Sequence, residues 1–300
     1  MNVITGQQIS LTYGAQRATI ATLGAALREY VVDGREVVIP FPAEELPAAF
    51  HGMVLAPWPN RLRDGQYSFE GADFQVPVSE PDRGTALHGL VCWAHWTVAA
   101  HSESAVTLTY DLPASPGYPF QLALATTYAL GDEGLTISTH ARNDGATALP
   151  YGLGFHPWFA PGGTALDECT LQLDATEHVT VDERLLPTGA VPVDGDFDLL
   201  ASRSLKAVAF DDAWVGVKPD ADGRSWARLG WADGRTVEIW ADSEAKAWQI
   251  CTGDQVAGVT RAGVAIEPMT CIADAFRTGK DLITLEPGAE HALAWGIRLV

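Results

Sequence analysis

An all-β fold, a large antiparallel β-sandwich, is what this sequence predicts, and three observations carry the expectation. Apolar residues recur at every second position far more often than at helical spacing. The short runs they form are separated by turns rich in Gly, Asp and Pro. Eighteen prolines would disrupt a helix-rich chain but suit strand edges and loops.

Taken in chain order, the elements repeat one grammar. Tyr67-Ser68-Phe69 and Phe74-Gln75-Val76 flank the turn Glu70-Gly71-Ala72-Asp73. Leu122 to Leu130 reads as a strand, and Gly131-Asp132-Glu133-Gly134 turns it into the next. There Leu135, Ile137, Thr139 and Ala141 share one face, and Thr136, Ser138, His140 and Arg142 the other. The stretch Pro161 to Ser204 is looser and is expected to be a long excursion over a site. Leu229 to Trp231 and Thr236 to Trp240 flank Asp233-Gly234, and Ala292 to Val300 forms a last apolar strand. No linker, low-complexity tract or clear repeat divides the chain, so one domain over residues 1–300 is expected.

A formal net charge of -19 and a pI near 4.6 argue against a nucleic-acid or anionic-membrane partner, since both need a basic face. The four cysteines, Cys92, Cys169, Cys251 and Cys271, are scattered with no C-x-x-C pair and read as reduced thiols of a cytoplasmic protein. Met1 to Leu11 lacks the pattern of a signal peptide. No apolar run approaches the ~20 residues that span a bilayer.

Several nucleotide and hydrolase motifs are missing. Gly279-Lys280 has Asp274 where a phosphate loop needs glycine, and Gly152-Leu153-Gly154 meets Pro157 where a dinucleotide loop needs a third. There is no G-x-S-x-G elbow and no pair of histidines at metal-ligand spacing on one element.

Four segments hold residue types suited to chemistry. In Tyr151-Gly152-Leu153-Gly154-Phe155-His156-Pro157, a strand would put two glycines and His156 on one face and Leu153 and Phe155 in the core. That bare face leaves room for a ligand against the backbone; a tightly packed sheet with a hydrogen-bonded core histidine fits the same pattern. In Gly263-Val264-Ala265-Ile266-Glu267-Pro268, Glu267 ends a face of small residues. Burying such a carboxylate unpaired is costly, while an exposed strand end would hold it without penalty. Gly84, Ala86 and His88 alternate in the same way, and His88 reads equally as a structural histidine. Pro57-Trp58-Pro59-Asn60-Arg61 stiffens the approach to an Asn-Arg pair able to form forked hydrogen bonds, to hydroxyls or within a loop salt bridge. The histidines at 51, 95, 101, 140, 178 and 291 read as surface or packing residues. Ten tryptophans supply core, with a stacking platform for a sugar as a second use.

Together these pieces resemble the aldose 1-epimerase family, with its hexose-6-phosphate epimerase relatives, from about Pro59 to Phe276. Pro59-Asn60-Arg61 with Gly65-Gln66-Tyr67 is similar to the family's P-N-R-x-x-x-G-x-Y, and Leu87-His88-Gly89 to its L-H-G. His156-Pro157-Trp158-Phe159 resembles H-P-Y-F, Pro187-Thr188-Gly189 resembles P-T-G, and Thr252-Gly253-Asp254 is like T-G-N. Phe210-Asp211-Asp212-Ala213-Trp214 resembles F-D-H-x-F, with Asp212 in place of the histidine. Glu267-Pro268, followed by Asp274-Ala275, resembles E-x-Q-x-x-P-D-A, with Ala273 where proline is usual.

The resemblance implies a galactose mutarotase-like β-sandwich that interconverts the anomers of a free aldose without metal or cofactor. Glu267 would take the proton of the C1 hydroxyl, and His156, kept charged by nearby carboxylates, would protonate the ring oxygen. The two would stand on either side of the hemiacetal. Arg61 and His88 would hydrogen-bond the ring-oxygen side and hydroxyls, and Asp211 and Asn60 would grip further hydroxyls. A small-molecule sugar is the expected partner, bound by a monomer or homodimer. Three alternatives are open: a hexose-phosphate epimerase using Arg61, Arg63 and Arg83, a glycoside hydrolase pairing Asp211 with Glu267, and a non-catalytic carbohydrate-binding protein.

Overall fold

The computed structural model describes residues 3–300; Met1 and Asn2, where the leader and one-domain expectations begin, lie outside the described residues. Two large sheets of twelve and nine strands dominate, and the strand pairs within them are antiparallel. Their facing side chains build one core. Leu11, Ile20, Trp214, Trp248 and Ile266 enter it from the larger sheet, and Leu124, Ile137, Ile239, Trp295 and Ile297 from the smaller. The Phe155 ring of the larger sheet lies 5.2 Å from the Trp295 ring of the smaller. Among the described residues no helix is long and apolar enough to cross a membrane.

The alternation read from the sequence survives in detail. Leu122–Gly131 and Gly134–Asn143 form a hairpin in register from Leu122↔Asn143 to Gly131↔Gly134. Leu135, Ile137, Thr139 and Ala141 are fully buried, whereas His140 and Arg142 are exposed. Ser225–Gly230 and Thr236–Ala241 form the second expected hairpin, and Glu290–Leu299 is the last strand. The hairpin Gln66–Phe69/Ala72–Gln75 has a tighter turn than expected, because Glu70 and Gly71 both take positive φ.

The stretch 161–204 departs from expectation. It is not a loose excursion. Thr170–Leu173 pairs with Ser225–Gly230 in the smaller sheet, and Ala175–Val181 pairs with Asp211–Val217 in the larger. Pro161, Gly162, Gly163 and Gly195 lie in connections between strands of the two sheets, whereas Pro187, Gly189 and Pro192 belong to the edge strand Pro187–Pro192.

Candidate active site

Register, more than proximity in sequence, assembles the site. Val264–Met269 lies between Ala247–Cys251 on one side and the broken strand Gly154–Phe155, Trp158–Phe159 on the other. Gly154 pairs with Met269 and Trp158 with Ala265, which sets His156 opposite Glu267. Glu267 in turn pairs with Gln249, and Ala265 with Cys251, which pairs with Asp211. One face of this sheet therefore carries a row His156-Glu267-Gln249 and, beside it, a row Trp158-Ala265-Cys251-Asp211. The intervening residues Phe155, Trp248, Ile250 and Ile266 point the other way and are buried in the core.

A second wall stands over this floor. Arg61–Arg63 pairs with Thr85–Leu87 in a two-stranded sheet, and Asn60 and His88 lie just outside it. Both take positive φ, 56° and 61°. The alternation expected for Gly84, Ala86 and His88 thus breaks at both ends, since Gly84 is left-handed as well. The turn aims the His88 ring inward and locks it: the Asn60 backbone N–H donates to His88 Nδ1 at 3.1 Å, and the His88 N–H donates to the Asn60 carbonyl at 2.9 Å. With Nδ1 accepting, the ring proton of neutral His88 sits on Nε2. Burial, then the neighbouring His156 and Arg61, hold the His88 pKa well below the usual range, so it is neutral.

All six candidate residues, Asn60, Arg61, His88, His156, Asp211 and Glu267, line one pocket of about 170 Å³, together with Phe50, Glu80, Trp158, Gln249 and Cys251. Glu267 is 1% and His156 7% exposed. Glu267 Oε1 stands 3.4 Å from His156 Nε2. Glu267 Oε2 and His156 Nδ1 are buried without a protein partner. Burial raises the Glu267 carboxyl well above its usual range, and the Asp211 charge adds to the rise. Burial also drives the His156 imidazole down to about 3, assisted by His51 and Arg61. This corrects the expectation that carboxylates keep His156 charged. Desolvation dominates both shifts, and their directions place the pair's single proton on Glu267.

The opposite end of the pocket is fixed by charge. Arg61 donates to both oxygens of Glu80, at 2.9 and 3.1 Å, and lies 3.8 Å from Asp211. Gln249 Nε2 donates to Asp211 Oδ1 at 2.9 Å. Asp211 is raised by burial, with Arg61 and Gln249 opposing.

Several motif residues work behind the pocket as clamps. The Thr252 hydroxyl accepts from the Phe210 N–H at 2.9 Å and so sets the start of the Asp211 strand. Asp274 accepts from the Arg63 N–H at 2.9 Å while its own N–H donates to the Arg61 carbonyl at 2.7 Å. Asp212, the departure from the family pattern, turns away from the pocket. It hydrogen-bonds His178 Nε2 at 2.8 Å and accepts the Asp211 N–H at 3.0 Å. Pro187-Thr188-Gly189 lies on an edge strand away from the pocket lining.

One further sequence reading needs correction. The bare glycine face does not receive a ligand. A Cβ on Gly152 would meet Cys271 Sγ at 2.6 Å, and one on Gly154 would meet Pro59 Cβ at 2.7 Å. The glycines admit the Pro59 loop, which carries Asn60 and Arg61. His51 and His178 are packing residues, within the reading given to them: His51 is 2% exposed beside Trp158, and His178 is 8% exposed and hydrogen-bonded to Asp212. Finally, Gln249 and Phe50 went unread. A lone glutamine between buried Trp248 and Ile250 was the available signal for the first; Phe50 offers none in the sequence.

The sequence model of the aldose 1-epimerase family matches residues 7–298 of the chain. The uncharacterized protein YihR of Escherichia coli (strain K12) is 36% identical over 295 residues, covering 98% of this chain and 93% of that protein. The galactose mutarotase of Homo sapiens is 30% identical over 159 residues, 50% of this chain and 45% of its own length. Among solved structures, a galactose mutarotase-like protein from Clostridium acetobutylicum superposes with a TM-score of 0.87 at 19% identity, covering 98% of this chain and 95% of that one. The galactose 1-epimerase from Lactobacillus acidophilus NCFM gives 0.82 at 20% identity, covering 98% and 94%.

Proposed function

We propose that this chain, which belongs to the aldose 1-epimerase family, interconverts the α and β anomers of a free aldose through Glu267 and His156. The supporting observation is the 3.4 Å spacing of Glu267 Oε1 and His156 Nε2 in a pocket whose lining also offers Asn60, Arg61, Glu80, His88, Asp211 and Gln249 as hydrogen-bonding groups. The hydroxyl oxygen and the ring oxygen of a hemiacetal sit on the same carbon. The base and acid that serve them therefore need to be neighbours, rather than to face each other across the ring. A pocket of about 170 Å³ lies below the ~300–1,000 Å³ of drug-sized sites and suits one small ring.

The reaction needs one proton on the pair. A hydroxyl donating to Glu267 favours its ionised form, which returns the proton to His156. Glu267 then takes the C1 hydroxyl proton as C1–O1 becomes a carbonyl, the bond from C1 to the ring oxygen breaks, and His156 protonates that oxygen. Rotation about C1–C2 exposes the other carbonyl face. Closure reverses each transfer, and the enzyme ends in its starting state. The open-chain stage matches the protonation that burial prefers, a neutral imidazole beside a carboxylic acid. Arg61, Asp211, Gln249 and Asn60 hold the remaining hydroxyls, and the Nε2–H of His88 faces the ring oxygen side. Four unpaired, buried thiols fit the reducing cytoplasm.

Polarimetry of freshly dissolved α-D-glucose and α-D-galactose tests the reading; the human relative's name makes galactose the first sugar to try. The wild type should speed the approach to equilibrium. Glu267→Gln should lose about 10²–10⁴-fold of that gain. A fully active Glu267→Gln protein, or a wild type that binds sugar without changing the rate, overturns it.

A further inference from the structure

Of ten tryptophans, nine are at most 8% exposed and Trp93 is 47% exposed. Trp93 does not hang on a loose loop. Its neighbours Val91 and Cys92 are buried, the Leu90 N–H donates to the Ala56 carbonyl at 2.7 Å, and the Gly24 N–H to the Ala94 carbonyl at 2.8 Å. The fold thus holds a large aromatic surface in water at a fixed place.

That place adjoins the pocket. The Trp93 ring lies 5.3 Å from Phe50, and Phe50 lies 4.4 Å from His88 and 6.3 Å from His156. Phe50 and Ala49 both adopt left-handed backbone, φ 52° and 51°, a conformation that a bulky residue keeps only when its surroundings enforce it. Here Trp158 Nε1 donates to the Ala49 carbonyl at 3.2 Å and the Met53 N–H to the Phe50 carbonyl at 3.0 Å. An aromatic strip therefore runs from the two imidazoles out to solvent. The hydroxyl-binding groups Arg61, Glu80 and Asp211 form a separate ion-paired cluster, while Phe50 packs on the imidazoles.

We propose that Phe50 and Trp93 form a second sugar subsite, which takes the apolar face of a pyranose joined through C6 of the reducing aldose. This rests on the anomer-exchange reading above, which puts the ring oxygen at His156. The substituent beside the ring oxygen is C6, so an extension there leaves toward Phe50. The pocket holds one ring, and the second ring stacks on the indole, as sugar faces do on aromatic surfaces. The preferred substrate class is then a 1→6-linked reducing disaccharide.

Magnetisation exchange between the α and β anomeric protons, measured at equilibrium for isomaltose and for glucose, tests this without pure anomers. Trp93→Ala should raise the KM for isomaltose about threefold to tenfold and leave the KM for glucose within about twofold. Equal effects on both sugars, or none on isomaltose, overturn the subsite. Absence of any acceleration by the wild type would instead sink the anomer-exchange reading. Calorimetric titration with isomaltose then decides the subsite alone: binding weakened about threefold to tenfold by Trp93→Ala supports it, and unchanged binding overturns it.

Discussion

At the residue scale, the Glu267–His156 pair sets the pH behaviour. The working form carries one proton on the two groups, so activity falls when the pair gains a second proton or loses its only one. The second proton goes to His156, whose pKa burial pushes to about 3. The only proton leaves Glu267, which burial raises well above the carboxylate range. An exposed histidine acting as acid would instead lose activity around its ordinary value of ~6.5. We therefore expect kcat/KM for glucose to stay level as pH falls through 6.5, with its acid limb well below that value. The check is a rate profile by anomeric-proton exchange from pH 4 to 9, with the fold monitored by circular dichroism at each point. An inflection near 6.5 would mean that solvent reaches His156 and that its charged form is the resting one.

At the element scale, the glycines of the 151–157 segment govern how the two walls meet. Gly154→Ala places a Cβ against Pro59, and Pro59 cannot swing aside because its ring closes onto the backbone that leads to Asn60 and Arg61. Overpacking of this kind typically costs ~1–3 kcal/mol. The denaturation midpoint should fall accordingly with an unchanged slope. The KM should rise as well, since the displaced loop carries Arg61; a normal KM beside a lowered midpoint would separate packing from sugar binding. The same glycines explain what was legible in the sequence. Alternation marked strands such as Gly134–Asn143 because one face meets the core and the other meets water, and Glu267 and His156 stood out because each ends a face of small residues. The purpose of the small residues was not legible, because absent side chains look alike whether a ligand or another loop fills the space. Gln249 was hidden for a different reason: its strand is buried on both faces, so alternation gave no polar side to read. Strand order was equally out of reach, and strand order is what sets residue 156 opposite residue 267.

At the scale of the whole molecule, one core cluster draws on both large sheets, and the surface charge bears on substrate choice. The net charge of -19 gives the protein a repulsive field for anions. Locally the cations that a phosphate would need are already engaged. Arg61 is held by Glu80 and Asp211, Arg63 by Asp182 and Asp274, and Arg83 by Glu80. A sugar phosphate would have to break those pairs and approach three pocket carboxyl groups, Glu80, Asp211 and Glu267. A neutral aldose feels neither penalty. Salt separates the two cases, because the screening length shrinks from ~30 Å at 0.01 M to ~3 Å at 1 M. We expect kcat/KM for glucose to change less than about twofold over that range, whereas that for glucose 6-phosphate should start lower and climb with salt as the repulsion is screened. Anomeric-proton exchange on both sugars at the two salt levels measures this directly. Faster exchange of the phosphate at low salt, lost on adding salt, would reveal a cationic subsite and return the sugar phosphate as the substrate.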